Sequence, residues 1–85
     1  MARLDRDLEK VAAQVASEQA GRITYGDPEL TRLLVQQRSE TTGWTIEHSA
    51  PLGNVLRREM TNLSETELDA IMARAVELVQ SGKCC

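Results

Sequence analysis

From Ala2 to Ala20 the apolar positions Leu4, Leu8, Val11 and Val15 recur at intervals of four, three and four, with Ala12 and Ala16 widening the stripe. Side chains so spaced share one face of a helix, and Gly21 stands where a left-handed ending would close it. The same spacing is also a two-heptad seam, too short for a coiled coil without a partner but suited to contact between copies. In "RITYGDPELTRLLVQQR", Ile23 to Tyr25 read as briefly extended before Gly26 turns the chain. Asp27 then caps a second helix: its carboxylate accepts first-turn amides, Pro28 needs no donor there, and Glu29 faces the positive end of the dipole. Leu30, Leu33 and Leu34 are the expected buried edge of this helix, and "SETTG" ends it near Gly43.

The last helix carries the strongest signal. "LSETEL" sets Ser64 three residues before Glu67, a capping box, with Leu63 and Leu68 placed as a hydrophobic staple. Leu68, Ile71, Met72, Ala75, Leu78 and Val79 follow helical spacing up to Gly82 and form one broad apolar face. Ahead of it, "APLGNVLRREMTN" places Leu52, Val55, Leu56 and Met60 on one side of a shorter predicted helix over about residues 51 to 60, with Gly53 weakening its first turn.

In "WTIEH", Trp44, Ile46 and His48 alternate with Thr45 and Glu47, the period of a strand. A strand here needs a neighbour, either the 23–25 stretch or the same segment of a second copy; as a loop, the segment sets His48 and Ser49 where a side chain could cap the next helix. The expected fold is therefore all-α, a small bundle of three to four helices that admits one short β-like segment near residues 44–48. Residues 1–81 form its single domain and 82–85 a flexible tail that holds Cys84 and Cys85.

Composition sharpens this picture. The chain has 85 residues, one small domain, and no Phe; ten Leu and nine Ala must fill most of an interior with a single Trp and a single Tyr. So thin a core favours a subunit that shares apolar surface with a second copy, and Leu4, Leu8, Val11, Val15, Leu68, Ile71, Met72 and Leu78 are the expected dimer interface. Ten basic residues against thirteen acidic ones give a net charge of -3, the wrong sign for holding nucleic acid by bulk attraction. No apolar run approaches the length of a membrane span, and the charged N-terminal segment "MARLDRDLEK" does not read as an export signal. A cytoplasmic location follows as the expectation, and eight Arg among ten basic residues point weakly to a bacterial source.

Candidate chemistry is sparse. Glu47 beside His48 suggests a carboxylate and base, but neighbours in a strand point to opposite faces. Two adjacent Cys and one distant His fall short of a zinc site. No phosphate loop, GxSxG, HExxH or CxxC is present. No catalytic, cofactor or metal residue is therefore assigned. Trp44 and His48, with Arg57 and Arg58, are the expected partner-binding residues, and Cys84 and Cys85 the candidates for redox linkage or modification.

"DPELTRLL" (27–34) and "LSETELDAI" (63–71), ahead of the Cys-bearing tail, resemble pieces of the leader regions of ribosomally made, modified peptides. They cover 17 of 85 residues. The resemblance implies a precursor whose Cys84 and Cys85 are modified, although Met72 to Gln80 continue the helical pattern where such leaders end in a Gly-Gly or similar cleavage site. The leading expectation is a non-enzymatic protein-protein interaction module, an adaptor, regulatory subunit or inhibitor, acting as a helical homodimer. A dimeric DNA-binding regulator using Arg57 and Arg58 is the alternative from another class.

Overall fold

The computed structural model describes residues 5–82, in the order α1 (Arg6–Tyr25), α2 (Pro28–Thr41), β1 (Trp44–Ser49), β2 (Val55–Met60) and α3 (Glu65–Ser81). The fold is mixed, three helices plus a two-stranded antiparallel sheet, and the all-α expectation is corrected accordingly. Leu4, Cys84 and Cys85, and any tail they belong to, lie outside the described residues.

The cap chemistry sets the helix starts. Asp5 accepts from the Asp7 amide at 2.8 Å, Asp27 from the Glu29 amide at 2.9 Å, and Ser64 and Glu67 close their box at 3.2 and 2.9 Å. Each bond satisfies an amide that has no partner inside its own helix. Gly21 does not end α1. The helix distorts at Gln19 (φ -117°, ψ 18°), then runs on to a cap at Gly26, so Ile23 to Tyr25 are helical. The extra turn buries Ile23 against the core, a tertiary gain that outweighs the local preference of Gly21.

The segment from 51 to 60 is the second correction: it is not a helix. Ala50 donates to Asn54 O at 2.8 Å and Gly53 to Ala50 O at 3.1 Å, which closes the three-residue loop Pro51-Leu52-Gly53 between β1 and β2. Pro51 stands at the turn position that favours its fixed φ, and Gly53, at φ 80°, takes the left-handed conformation this loop requires. The strand partner of "WTIEH" is thus its own sequel, with Trp44 opposite Met60, Ile46 opposite Arg58, and His48 opposite Leu56.

Most of the core lies between α1 and α3. Val11, Ala12, Val15 and Ala16 of α1 meet Leu68, Ile71, Met72, Ala75 and Leu78 of α3, all of them buried. Arg74 reinforces the seam, with Nε donating to Glu9 Oε1 at 2.8 Å and Nη1 to Glu77 at 2.9 Å; the Glu9 carboxylate above all raises the guanidinium pKa above its ordinary value. Trp44, Ile46 and Met60 extend the core from the base of the hairpin.

Helix α2 buries a different stripe from the one its leucines predict. Thr31, Val35 and Ser39 face inward at four-residue intervals, while Leu30 and Leu33 are 42% and 53% exposed. The two hydroxyls are buried because they are satisfied: Thr31 donates to Asp27 O at 3.3 Å, and Ser39 Oγ accepts from the Leu63 amide at 2.7 Å, tying α2 to the approach of α3. Gly43 at φ 67° makes the turn into β1, where any Cβ would sit 2.7 Å from Met60 O.

Candidate interaction surface

The hairpin has two unlike ends. At its base Trp44 is 2% exposed, and the Arg38 guanidinium lies 4.9 Å from the ring centroid while Nε donates to Gly43 O at 3.2 Å and Nη1 pairs with Glu18. The ring is held as part of the core and does not stand out as an anchor for another protein. Its Nε1 has no hydrogen-bond partner among the described residues, and the ring borders a cavity of about 70 Å³ shared with Val15, Gln19 and Val35.

Midway along the hairpin the inner face carries charge. Asp7 of α1 is buried, and its two carboxylate oxygens meet two side chains of the hairpin: His48 Nε2 lies 2.8 Å from Oδ1, and Arg58 Nη1 donates to Oδ2 at 2.8 Å. A carboxylate taken out of water is tolerated when it is paired in this way. The strand period turns His48 and Arg58 to the same face across β1 and β2, which is why one carboxylate reaches both. Glu47 and Arg57 occupy the opposite face and pair with each other at 3.0 Å. The carboxylate beside His48 in space is therefore Asp7, not its chain neighbour. No hydroxyl or thiol of the described residues is hydrogen-bonded to the imidazole, so the geometry describes a clamp that fastens the hairpin to α1. Arg57 and Arg58 point apart and are each paired with a carboxylate, which splits the basic pair that a DNA footprint would use.

Beyond the clamp the hairpin has little support. Leu52 at the turn is 88% exposed, and Val55 and Leu56 are 59% and 60% exposed. Val55 and Leu56 point to opposite faces of the strand, so these apolar side chains do not form one face; they gather at the turn end of the arm, and that end is the candidate surface. A second, mostly apolar depression lies between the start of α2 and α3, an open groove of about 360 Å³ lined by Pro28, Glu29, Arg32, Met72, Ala73 and Val76, with Arg32 paired to Asp69 at 3.1 Å.

The residues expected to form a dimer seam lie elsewhere. Val11, Val15, Leu68, Ile71, Met72 and Leu78 are buried against one another within a single chain, and Leu8 packs partly buried beside them. The helical stripes cover each other without a second copy. Leu52, Val55 and Leu56 had been placed on a helix face; the signal that could have located them was Pro51 followed by Gly53, which is hairpin-turn chemistry.

Among the described residues no group of three or more His, Cys, Asp or Glu is placed to hold a metal ion, and no helix is long and apolar enough to cross a membrane. Searched against protein-family models, curated proteins and solved structures, the chain matches none of them.

Proposed function

We propose that the protein is a small non-enzymatic protein-protein interaction module that acts as a homodimer, with the β-hairpin and not the helical stripes as its binding surface. The observation that carries this reading is the exposure of Leu52, Val55 and Leu56 on an arm clamped to the helices at Asp7 and free beyond it. A single exposed leucine is ordinary; three exposed apolar side chains at the end of one two-stranded arm, carried on both its faces, support reading that end as a contact region. Two strands alone are also marginal in water, so a partner laid along the arm stabilises it.

Sedimentation equilibrium tests the reading across ~1 to ~500 µM, a range suited to interfaces of modest size. The wild-type chain is expected to pass from monomer to dimer, and the triple variant Leu52→Ser, Val55→Ser, Leu56→Ser to remain monomeric. A wild-type chain that is monomeric throughout, or a triple variant that dimerises as well as wild type, contradicts it.

A further inference from the structure

The two edges of the hairpin differ. On the β1 side the Glu47 carbonyl, which points away from β2, accepts from Lys10 Nζ of α1 at 2.8 Å, so that edge is occupied by the protein's own helix. Among the described residues no side chain bonds to the outward main chain of β2. The Ala50–Asn54 bond sets the phase of the ladder. Pairs His48–Leu56, Ile46–Arg58 and Trp44–Met60 exchange their main-chain bonds inside the hairpin, whereas Val55, Arg57 and Glu59 turn N–H and C=O outward. All three are exposed, no Pro stands in β2, and the edge is guarded by the charges of Arg57, Arg58 and Glu59, which an added strand has to match.

Resting on the homodimer reading above, we propose that this edge receives β2 of a second copy, antiparallel about a two-fold axis at Arg58, to form one four-stranded sheet. The charges of "VLRREM" select both the occupant and the register. With the axis at Arg58, Arg57 lies opposite the partner's Glu59 and Glu59 opposite the partner's Arg57, and both are outward-facing positions able to exchange main-chain bonds. An axis at Glu59 would set that carboxylate against its own copy, an axis at Arg57 would leave Glu59 opposite Val55, and an axis at Leu56 would set Val55 against Arg57. Only the Arg58 register matches opposite charges, and it does so twice.

The outer-face charges and Leu56 fit the same arrangement, while Val55 and Leu52 lie beyond the paired stretch. Across the outer face the row reads Glu47, Arg57, the partner's Glu59, with alternating sign; Glu47 and Arg57 already pair at 3.0 Å, and Glu59 has no ion pair among the described residues. On the inner face Leu56, 60% exposed in the single chain, comes opposite the partner's Met60. The two Arg58 side chains meet at the axis, each already bound at 2.8 Å by its own Asp7, so the axis holds two ion pairs and not two bare cations. The edge contributes about four main-chain hydrogen bonds, two from each of the Arg57–Glu59 exchanges.

Charge exchange tests the register. On a Glu47→Gln background, which removes the intrachain pair, Arg57→Glu and Glu59→Arg are made singly and together, and dimerisation is followed by sedimentation equilibrium. Each single change sets like charges opposite one another twice and is expected to weaken the dimer about tenfold or more, while the double change returns it to within about threefold of the background. In the wild-type protein, raising the concentration is expected to slow amide exchange at Arg57 and Glu59 by a larger factor than at Leu56 and Arg58, whose amides are bonded within the hairpin. A protein that stays monomeric overturns the homodimer reading and this proposal together. A dimer in which the double change fails to rescue, or in which the Arg57 and Glu59 amides exchange as in the monomer, overturns the edge pairing and leaves the homodimer reading standing.

Discussion

The seam between α1 and α3 and the hairpin of β1 and β2 treat their apolar side chains in opposite ways. Along the seam, Val11, Val15, Leu68 and Ile71 are buried on both sides by the same chain. At the end of the hairpin, Leu52, Val55 and Leu56 are left largely exposed by the described residues. The seam is built from long helices whose stripes match in width, so each covers the other. The arm has one partner strand, one carboxylate holding it to α1, and an uncovered edge. On the proposed reading, stability and association fall to different parts of a small molecule: the seam holds the subunit, and the arm makes the contact.

The sharpest way to break this division is to open the seam. Ile71→Ala removes a side chain with no exposure and is expected to cost about 2–5 kcal/mol, read from urea unfolding, because the cavity adds to the lost burial. A cost below about 1 kcal/mol would mean that the seam is not the main support.

Cutting the connection between the two regions has an intermediate effect. Asp7→Ala removes the group that pairs with both His48 and Arg58. The expected cost is about 1–2 kcal/mol, less than for a fully buried pair because His48 and Arg58 both keep contact with solvent. The signature is local: amides of β1 and β2 exchange faster, while those of the seam change only in proportion to the global loss. Uniform acceleration across α1 and α3 would mean that Asp7 supports the core and not the arm.

The smallest effect is at a cap. Ser64→Ala should lower unfolding free energy by about 1 kcal/mol, by freeing the Glu67 amide, and leave dimerisation unchanged. A loss of dimer in this variant would tie association to α3.

The same division explains what could be read from the chain. Caps are local chemistry, so Asp27 and Ser64 announced α2 and α3 correctly, and the α1 and α3 stripes were visible as periodicity. What periodicity could not say is that those stripes meet each other and not a second copy, since either arrangement buries the same faces. The strand period of "WTIEH" is legible in the sequence, whereas β2 is hidden because Leu, Arg, Glu and Met in "VLRREM" are good helix formers, and Leu52, Val55, Leu56 and Met60 happen to fall on one helical face. Turn chemistry at Pro51 and Gly53 overrode that preference. In α2, counting leucines selected the wrong face, because Thr31 and Ser39 are buried through hydrogen bonds that no hydropathy pattern reveals. Trp44 and His48 were singled out as unusual residues, yet only the fold tells that Trp44 faces the core and that the carboxylate meeting His48 is Asp7, distant in sequence.

The most direct measurement is urea unfolding of the triple variant Leu52→Ser, Val55→Ser, Leu56→Ser, followed by the fluorescence of Trp44 at protein concentrations differing about a hundredfold. If the seam alone sustains the subunit, the midpoint is independent of concentration and the unfolding free energy lies within about 1 kcal/mol of that of wild type at its lowest concentration, as for surface substitutions. A variant that is unfolded in dilute solution, or whose midpoint climbs with concentration, would show that the helices need a second copy to fold and would contradict the account.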